Sequence, residues 1–221
     1  MSNATGATRA KVCGLTDEED LAVAVEGGAD AVGFVVNVPV DSPREIPPGH
    51  ASELVEAVPP FVTSVVVTML DGIEETVSLV EQVRPDALQV HATNPDEIDA
   101  IRTAIDAPVI AAVDAGADVD RFSAAADALL VDSLDAAGAG GTGETGDWER
   151  ARKVVASSRV PVILAGGLTP ENVANAVDTV RPFGVDVASG VEERGGRKDH
   201  DAMRAFVARA VGARSATAVR L

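Results

Sequence analysis

The chain has 221 residues, 46% of them hydrophobic and only 3% aromatic, enough for one α/β domain of barrel size with a core of Val, Ala, Leu and Ile. Its 35 acidic against 18 basic residues give a net charge of −17, which opposes nucleic acid and anionic membranes as partners. One cysteine excludes an internal disulfide; the start "MSNATGATRA" has no apolar signal core and no stretch is apolar enough to span a bilayer, so a soluble cytoplasmic protein is expected.

The acidic residues are dispersed, and the only lysines are Lys11, Lys153 and Lys198. That pattern reads as the solvated surface of a halophile, because self-repulsion of this size destabilises a fold at low salt. An ordinary acidic cytosolic protein is the alternative.

Eight short β-branched runs follow one another: "AKVCGL", "AVGFVV", "TSVVVTML", "ALQVH", "PVIAAVDA", "ALLVDS", "PVILAGG" and "GVDVASG", beginning near residues 10, 31, 63, 87, 108, 128, 161 and 184. Helical patterns lie between them. Runs apolar on both faces suit parallel strands covered by helices, and eight βα units predict an α/β fold, a single-domain (β/α)₈ barrel over residues 1–221. Residues 1–8 are expected as a flexible N-terminus and 214–221 as a C-terminal extension or tail. An open doubly wound sheet is the alternative, weakened by the absence of a glycine-rich dinucleotide fingerprint after the first strand.

Helix starts agree with this reading. Thr16 and Glu19 are spaced as a capping box, Asn94-Pro95-Asp96-Glu97 orders a cap, a first-turn proline and a glutamate, and Thr169-Pro170-Glu171 offers a cap before a proline. The longest strand-to-strand intervals follow the second strand ("NVPVDSPREIPPG") and the sixth ("LDAAGAGGTGETGD"). Both extensions fall at strand C-terminal ends, where barrel enzymes build their sites.

Several residues at those ends can carry chemistry. Cys13 ends the first strand, where nearby helix N-termini would lower a thiol's pKa and make it a base or nucleophile; a small buried hydrophobe is the plainer role. Asp132 ends the sixth strand as a helix cap or, partly desolvated, as a general acid. The glycine-rich turns "AGGLTPE" and "ASGVEERGG" after strands seven and eight suit a phosphate, although glycine also serves simply to turn the chain. Arg44 is either a clamp for an anionic group or a solvated loop residue. His91, near Gln89, can orient a ligand; without a second His or carboxylate pattern it is a weak metal candidate, and no metal is expected. His50 and His200 read as surface or helix-edge residues.

Taken in order, "KVCGLTDEEDLAVAVEGGADAVGFV", "SPREIPP", "ALQVHA", "LLVDS", "GGTGETGDW", "ILAGGLTPENVANAV" and "GVDVASGVEERGGRKDHDAMRAFV" resemble the phosphoribosylanthranilate isomerases of tryptophan biosynthesis, from about Lys11 to Phe206. The resemblance implies a cofactor-free Amadori rearrangement of N-(5′-phosphoribosyl)anthranilate to 1-(2-carboxyphenylamino)-1-deoxyribulose 5-phosphate, by a monomer or homodimer whose partner is that small phosphorylated substrate. It implies Cys13 as general base, Asp132 as general acid, Arg44 at the anthranilate carboxylate, Gly166, Gly167, Ser189 and Gly190 at the phosphate, and Asp186, Gln89 and His91 along the pocket. Three positions depart from the family pattern: Gly146 replaces an aromatic in the sixth loop, Ala92 a glycine after His91, and Ala188 a serine near the phosphate.

Two rival readings stand beside it. A pentose-phosphate epimerase would need metal ligands from several strands, which three scattered histidines do not assemble. A non-catalytic barrel binding a phosphorylated ligand would have no use for both Cys13 and Asp132.

Overall fold

The β-branched runs form strands and the amphipathic stretches after them form helices. The structure, a computed structural model, describes residues 8–69, 72–91, 94–114, 116–132 and 147–218. The strands are β1 (Arg9–Cys13), β2 (Ala31–Val35), β3 (Thr63–Met69), β4 (Ala87–His91), β5 (Val109–Asp114), β6 (Ala128–Asp132), β7 (Val162–Ala165) and β8 (Gly184–Val187). After them come α1 (Glu18–Glu26), α2 (Pro48–Ala57), α3 (Ile73–Val83), α4 (Pro95–Ala104), α5 (Val119–Ala125), α6 (Trp148–Ser157), α7 (Val173–Val180) and α8 (His200–Ala218). All eight strands pair in parallel and in chain order, and β1 closes the ring, with Lys11 in register with Ala31 on one side and Asp186 on the other. The sheet is a closed barrel, which excludes the open-sheet alternative.

Strand periodicity divides the core into two layers. Ala10, Val12, Leu88, Val90, Leu129, Val131, Val185 and Val187 point outward into the packing with the helices. Cys13, Val65, Val67, Ala87, Ile110, Ala112, Leu130 and Ala165 fill the barrel. Lys11, Gln89, His91, Asp132 and Asp186 share the inward parity of their strands.

The helix caps follow the expectation in part. Asn94 caps α4 with its side chain accepting from the Asp96 N–H at 3.0 Å, and Pro95 occupies the first turn. The cap of α1 is Asp17, one residue later than the expected Thr16: a carboxylate oxygen accepts from the Asp20 N–H at 2.9 Å, while the Thr16 hydroxyl donates to the Gly196 carbonyl. A carboxylate is favoured there by the positive end of the helix, and Thr16 is recruited to tertiary structure. Thr169 shapes a turn, accepting from the Glu171 N–H, and α7 begins only after Asn172.

The segment after β8, read from its sequence as a glycine-rich turn, holds more structure than that. A 3₁₀ turn, Ser189–Val191, is followed by an antiparallel hairpin of β9 (Glu192–Arg194) and β10 (Arg197–Lys198). Arg197 pairs with Asp17 and Glu19 at the start of α1 and fastens the hairpin there. The expected C-terminal extension continues α8 as far as Ala218, and Thr8 is buried. Residues 1–7, 219–221 and the sixth-loop segment 133–146 lie outside the described residues, as do Ala92 and Gly146.

Candidate active site

The C-terminal ends of the strands gather the ionisable side chains. Lys11 and Cys13 from β1, Asp186 from β8 and Gln89 from β4 are all buried. Lys11 Nζ donates to Asp186 Oδ1 at 2.9 Å, with both side chains under 10% exposed. Burial alone would pull the Lys11 ammonium down, but attraction to Asp186 and to Cys13 outweighs it and pushes its pKa to about 12. Gln89 Oε1 is buried with no hydrogen-bond partner among the described residues, an acceptor aimed into the barrel.

Burial pushes the Cys13 thiol up, and the attraction of Lys11 and Lys198 only partly offsets this. That corrects the expectation that helix N-termini would hold the thiol low: desolvation is the larger effect at this depth in the barrel. Asp132 is half-buried at the end of β6, in register with Asp114 on β5 and Ala165 on β7. His91 stands at the end of β4, its pKa lowered first by desolvation and also by Lys11, while Asp132 and Asp186 act in the opposite direction.

The seventh and eighth loops supply backbone. Gly166 and Gly167 have φ of 87° and 62°, which side-chain-bearing residues seldom adopt. Asn172 braces that loop, donating to the Gly167 carbonyl at 2.9 Å and accepting from the Thr169 N–H at 2.8 Å. Gly190 lies so close to it that a β-carbon would sit 1.8 Å from the Leu168 carbonyl oxygen. Gly190 thereby presses against the seventh loop, and the two turns lie side by side.

Arg44, in the long loop after β2, is held in a two-pronged pair with Glu192 of the hairpin, both contacts at 2.7 Å. Glu192 also accepts from Lys198 Nζ at 2.9 Å. Lys198, its side chain fully buried, spends its other donors on the carbonyls of Cys13 (2.7 Å) and Ala188 (3.1 Å). These contacts satisfy all three ammonium protons and tie the ends of β1 and β8 to the hairpin. His50 and His200 sit apart from the mouth, contacting Thr16 and Glu53, and Asp20, respectively. Among the described residues no three His, Cys, Asp or Glu side chains are gathered to hold a metal ion.

Lys11, Lys198, Glu192 and Gly33 are members of this mouth that the sequence reading passed over. A usable signal existed for one of them, since a lysine inside an apolar strand run, as Lys11 is, is costly unless paired.

A closed eight-stranded barrel with acid, thiol and ammonium groups gathered at its C-terminal mouth defines a (β/α)₈-barrel enzyme. The pattern defining N-(5′phosphoribosyl)anthranilate (PRA) isomerase matches residues 10–209. The chain belongs to that family and is an isomerase. It is 54% identical over 202 residues to the N-(5′-phosphoribosyl)anthranilate isomerase of Haloarcula marismortui, covering 90% of this chain and 94% of the relative. A phosphoribosylanthranilate isomerase solved with reduced 1-(o-carboxyphenylamino)-1-deoxyribulose 5-phosphate superposes with a TM-score of 0.76 at 36% identity, covering 93% of this chain and 99% of the other. Monomers generated from the dimeric enzyme of Thermotoga maritima give 0.78 at 34% identity, with 93% and 99% coverage.

Proposed function

We propose that Cys13 and Asp132 are the general base and general acid of a cofactor-free Amadori rearrangement of N-(5′-phosphoribosyl)anthranilate in tryptophan biosynthesis. The observation that carries this reading is their placement: β1 and β6 present them inward, and β7 and β8, with the two glycine turns, lie between them in the barrel. A phosphate held on Gly166, Gly167, Ser189 and Gly190 would anchor the ribose between thiol and carboxyl. Two of Arg44's five N–H donors are spent on Glu192, and the rest suit the anthranilate carboxylate. Gln89, with its unpaired acceptor, and His91 line the sugar side with Asp186.

Asp132, protonated, gives its proton to the ring oxygen as the C1′–O bond breaks and the nitrogen lone pair forms an iminium. The Cys13 thiolate then takes the C2′ proton, and the C–H electrons form the enolamine double bond while the iminium nitrogen regains its pair. The enolamine becomes the ketone, and proton exchange restores both groups. The reaction as written requires the pair to hold one proton, on Asp132 and not on Cys13.

The chain acts on this small substrate as a monomer or homodimer in the cytoplasm. Among the described residues no helix is long and apolar enough to cross a membrane. Following the fluorescence of the anthranilate derivative during turnover tests the assignment: conversion without added cofactor supports it, and absence of turnover by folded protein overturns it.

A further inference from the structure

The reaction needs a thiolate at a position where burial favours the thiol, and the barrel supplies a compensating group. Lys11 and Cys13 are two residues apart on β1 and point the same way, and Gly33 faces Cys13 across the ladder from β2. A β-carbon on Gly33 would lie 2.9 Å from Cys13 Sγ and 3.1 Å from Lys11 Nζ, so the missing side chain makes the room in which thiol and ammonium meet. Lys11 Nζ shares that space with Cys13 Sγ and is anchored on its other side by Asp186.

We propose that Lys11 is a positioning residue for the base: its ammonium, held by Asp186, faces Cys13 over Gly33 and stabilises the thiolate that accepts the substrate proton. This rests on Cys13 being the base. A buried lysine with one carboxylate partner has donors to spare, and a buried charge pair is costly to keep for stability alone. The charged groups around the thiol are few. Asp186 from β8 opposes the thiolate, Lys198 from β10 and Lys11 favour it, and the Arg44 guanidinium in the second loop also couples to it. Lys198 is saturated by three acceptors and shares Glu192 with Arg44, and its effect on the thiol is smaller than that of Lys11 or of Asp186, whereas Lys11 acts on the thiol more strongly than Asp186 does. Lys11 is therefore the cation that sets the thiolate population.

The chain has one cysteine and no tyrosine, so ultraviolet absorbance on raising the pH reports the Cys13 thiolate with no overlapping tyrosinate. Lys11→Met is expected to move the thiol midpoint upward by about one unit or more, tenfold less thiolate at a given pH below both midpoints. The pH at which kcat/KM reaches its plateau should move by the same amount. A Lys11 that only filled space would alter the thermal midpoint or KM and leave the thiol titration in place. Because an unpaired Asp186 can unfold the single variant, Lys11→Met/Asp186→Asn removes both charges; its thiol midpoint should also rise, by a smaller amount. Superimposable titrations, or a fall in either variant, overturn the proposal. The thiol midpoint reads the Lys11–Cys13 coupling whether or not Cys13 is the base, while full turnover by Cys13→Ser would remove the base assignment alone.

Discussion

Gly190 offers a sharp test of the phosphate cradle. In Gly190→Ala the new β-carbon would meet the Leu168 carbonyl oxygen at 1.8 Å, the Leu168 carbonyl carbon at 2.9 Å and Val187 Cγ2 at 3.3 Å, where ordinary contact begins at 3.4 Å. The obstruction is backbone and cannot be relieved by a side-chain rotation, so the seventh and eighth loops must part by about 1.5 Å. Overpacking of this kind costs about 1–3 kcal/mol, which at roughly 2–4 °C per kcal/mol lowers the thermal midpoint by about 2–12 °C. The chemical effect should be larger. A substrate held by its phosphate is displaced with the loops, and a misplacement of about 1 Å costs on the order of 10²-fold. Initial rates by fluorescence over a range of substrate concentrations should show kcat/KM down by about 10²-fold, with inhibition by inorganic phosphate weakened in parallel. A value within threefold of the unmodified chain, with unchanged phosphate inhibition, would show that these two turns do not grip the phosphate.

Cys13→Ser and Asp132→Asn should each lower turnover by about 10²–10⁴-fold with little change in thermal midpoint, and the unmodified chain should give a bell-shaped rate profile; turnover within threefold in either variant removes that residue from the pair. Glu192 titrates below its ordinary value of 4.5: burial pushes it up, but hydrogen bonds from Arg44 and Lys198 and their charges prevail. Its contribution is present above that value and is lost as the pH falls through the folded-state pKa, so urea midpoints should drop on acidification below about pH 4.5, and Glu192→Gln should flatten that drop. An equal acid slope in the variant would refute the linkage. With a net charge of −17, thermal midpoints should rise from dilute buffer to molar NaCl as the Debye length shrinks from about 10 Å to about 3 Å. A flat or falling midpoint would sink the halophilic reading.

The barrel was legible because its signals are local. Every strand begins within one residue of its expected start, since β-branched runs bounded by turns depend on little beyond their neighbours. The inward parity of Cys13, Asp132 and Asp186 follows from the same alternation. What was not legible is tertiary. "VEERGGRK" has no apolar alternation, and it becomes a hairpin because Lys198 finds carbonyls from β1 and the β8 loop and because Arg197 finds α1. Thr16 looked like a helix cap until its hydroxyl had Gly196 to donate to. The thiol's environment was misjudged for the same reason: helix N-termini can be inferred along the chain, but the depth at which Cys13 lies in the closed barrel cannot.

The contacts that complete the mouth join segments far apart along the polypeptide. Lys11 meets Asp186 across 175 positions, Lys198 meets the Cys13 carbonyl across 185, and Arg44 meets Glu192 across 148. During synthesis the thiol and the second loop leave the ribosome well before their partners do. Until then Cys13 has no β8 beside it, Lys11 has no counterion, and the half-built sheet has two open edges. Loop closure over such distances must be met before any of these contacts gives a return, which makes ring closure the late step of folding. Activity therefore cannot accumulate piecemeal along the nascent chain: it arises when β8 and the hairpin dock, and a polypeptide arrested before residue 184 would be inert however well its earlier βα units had formed.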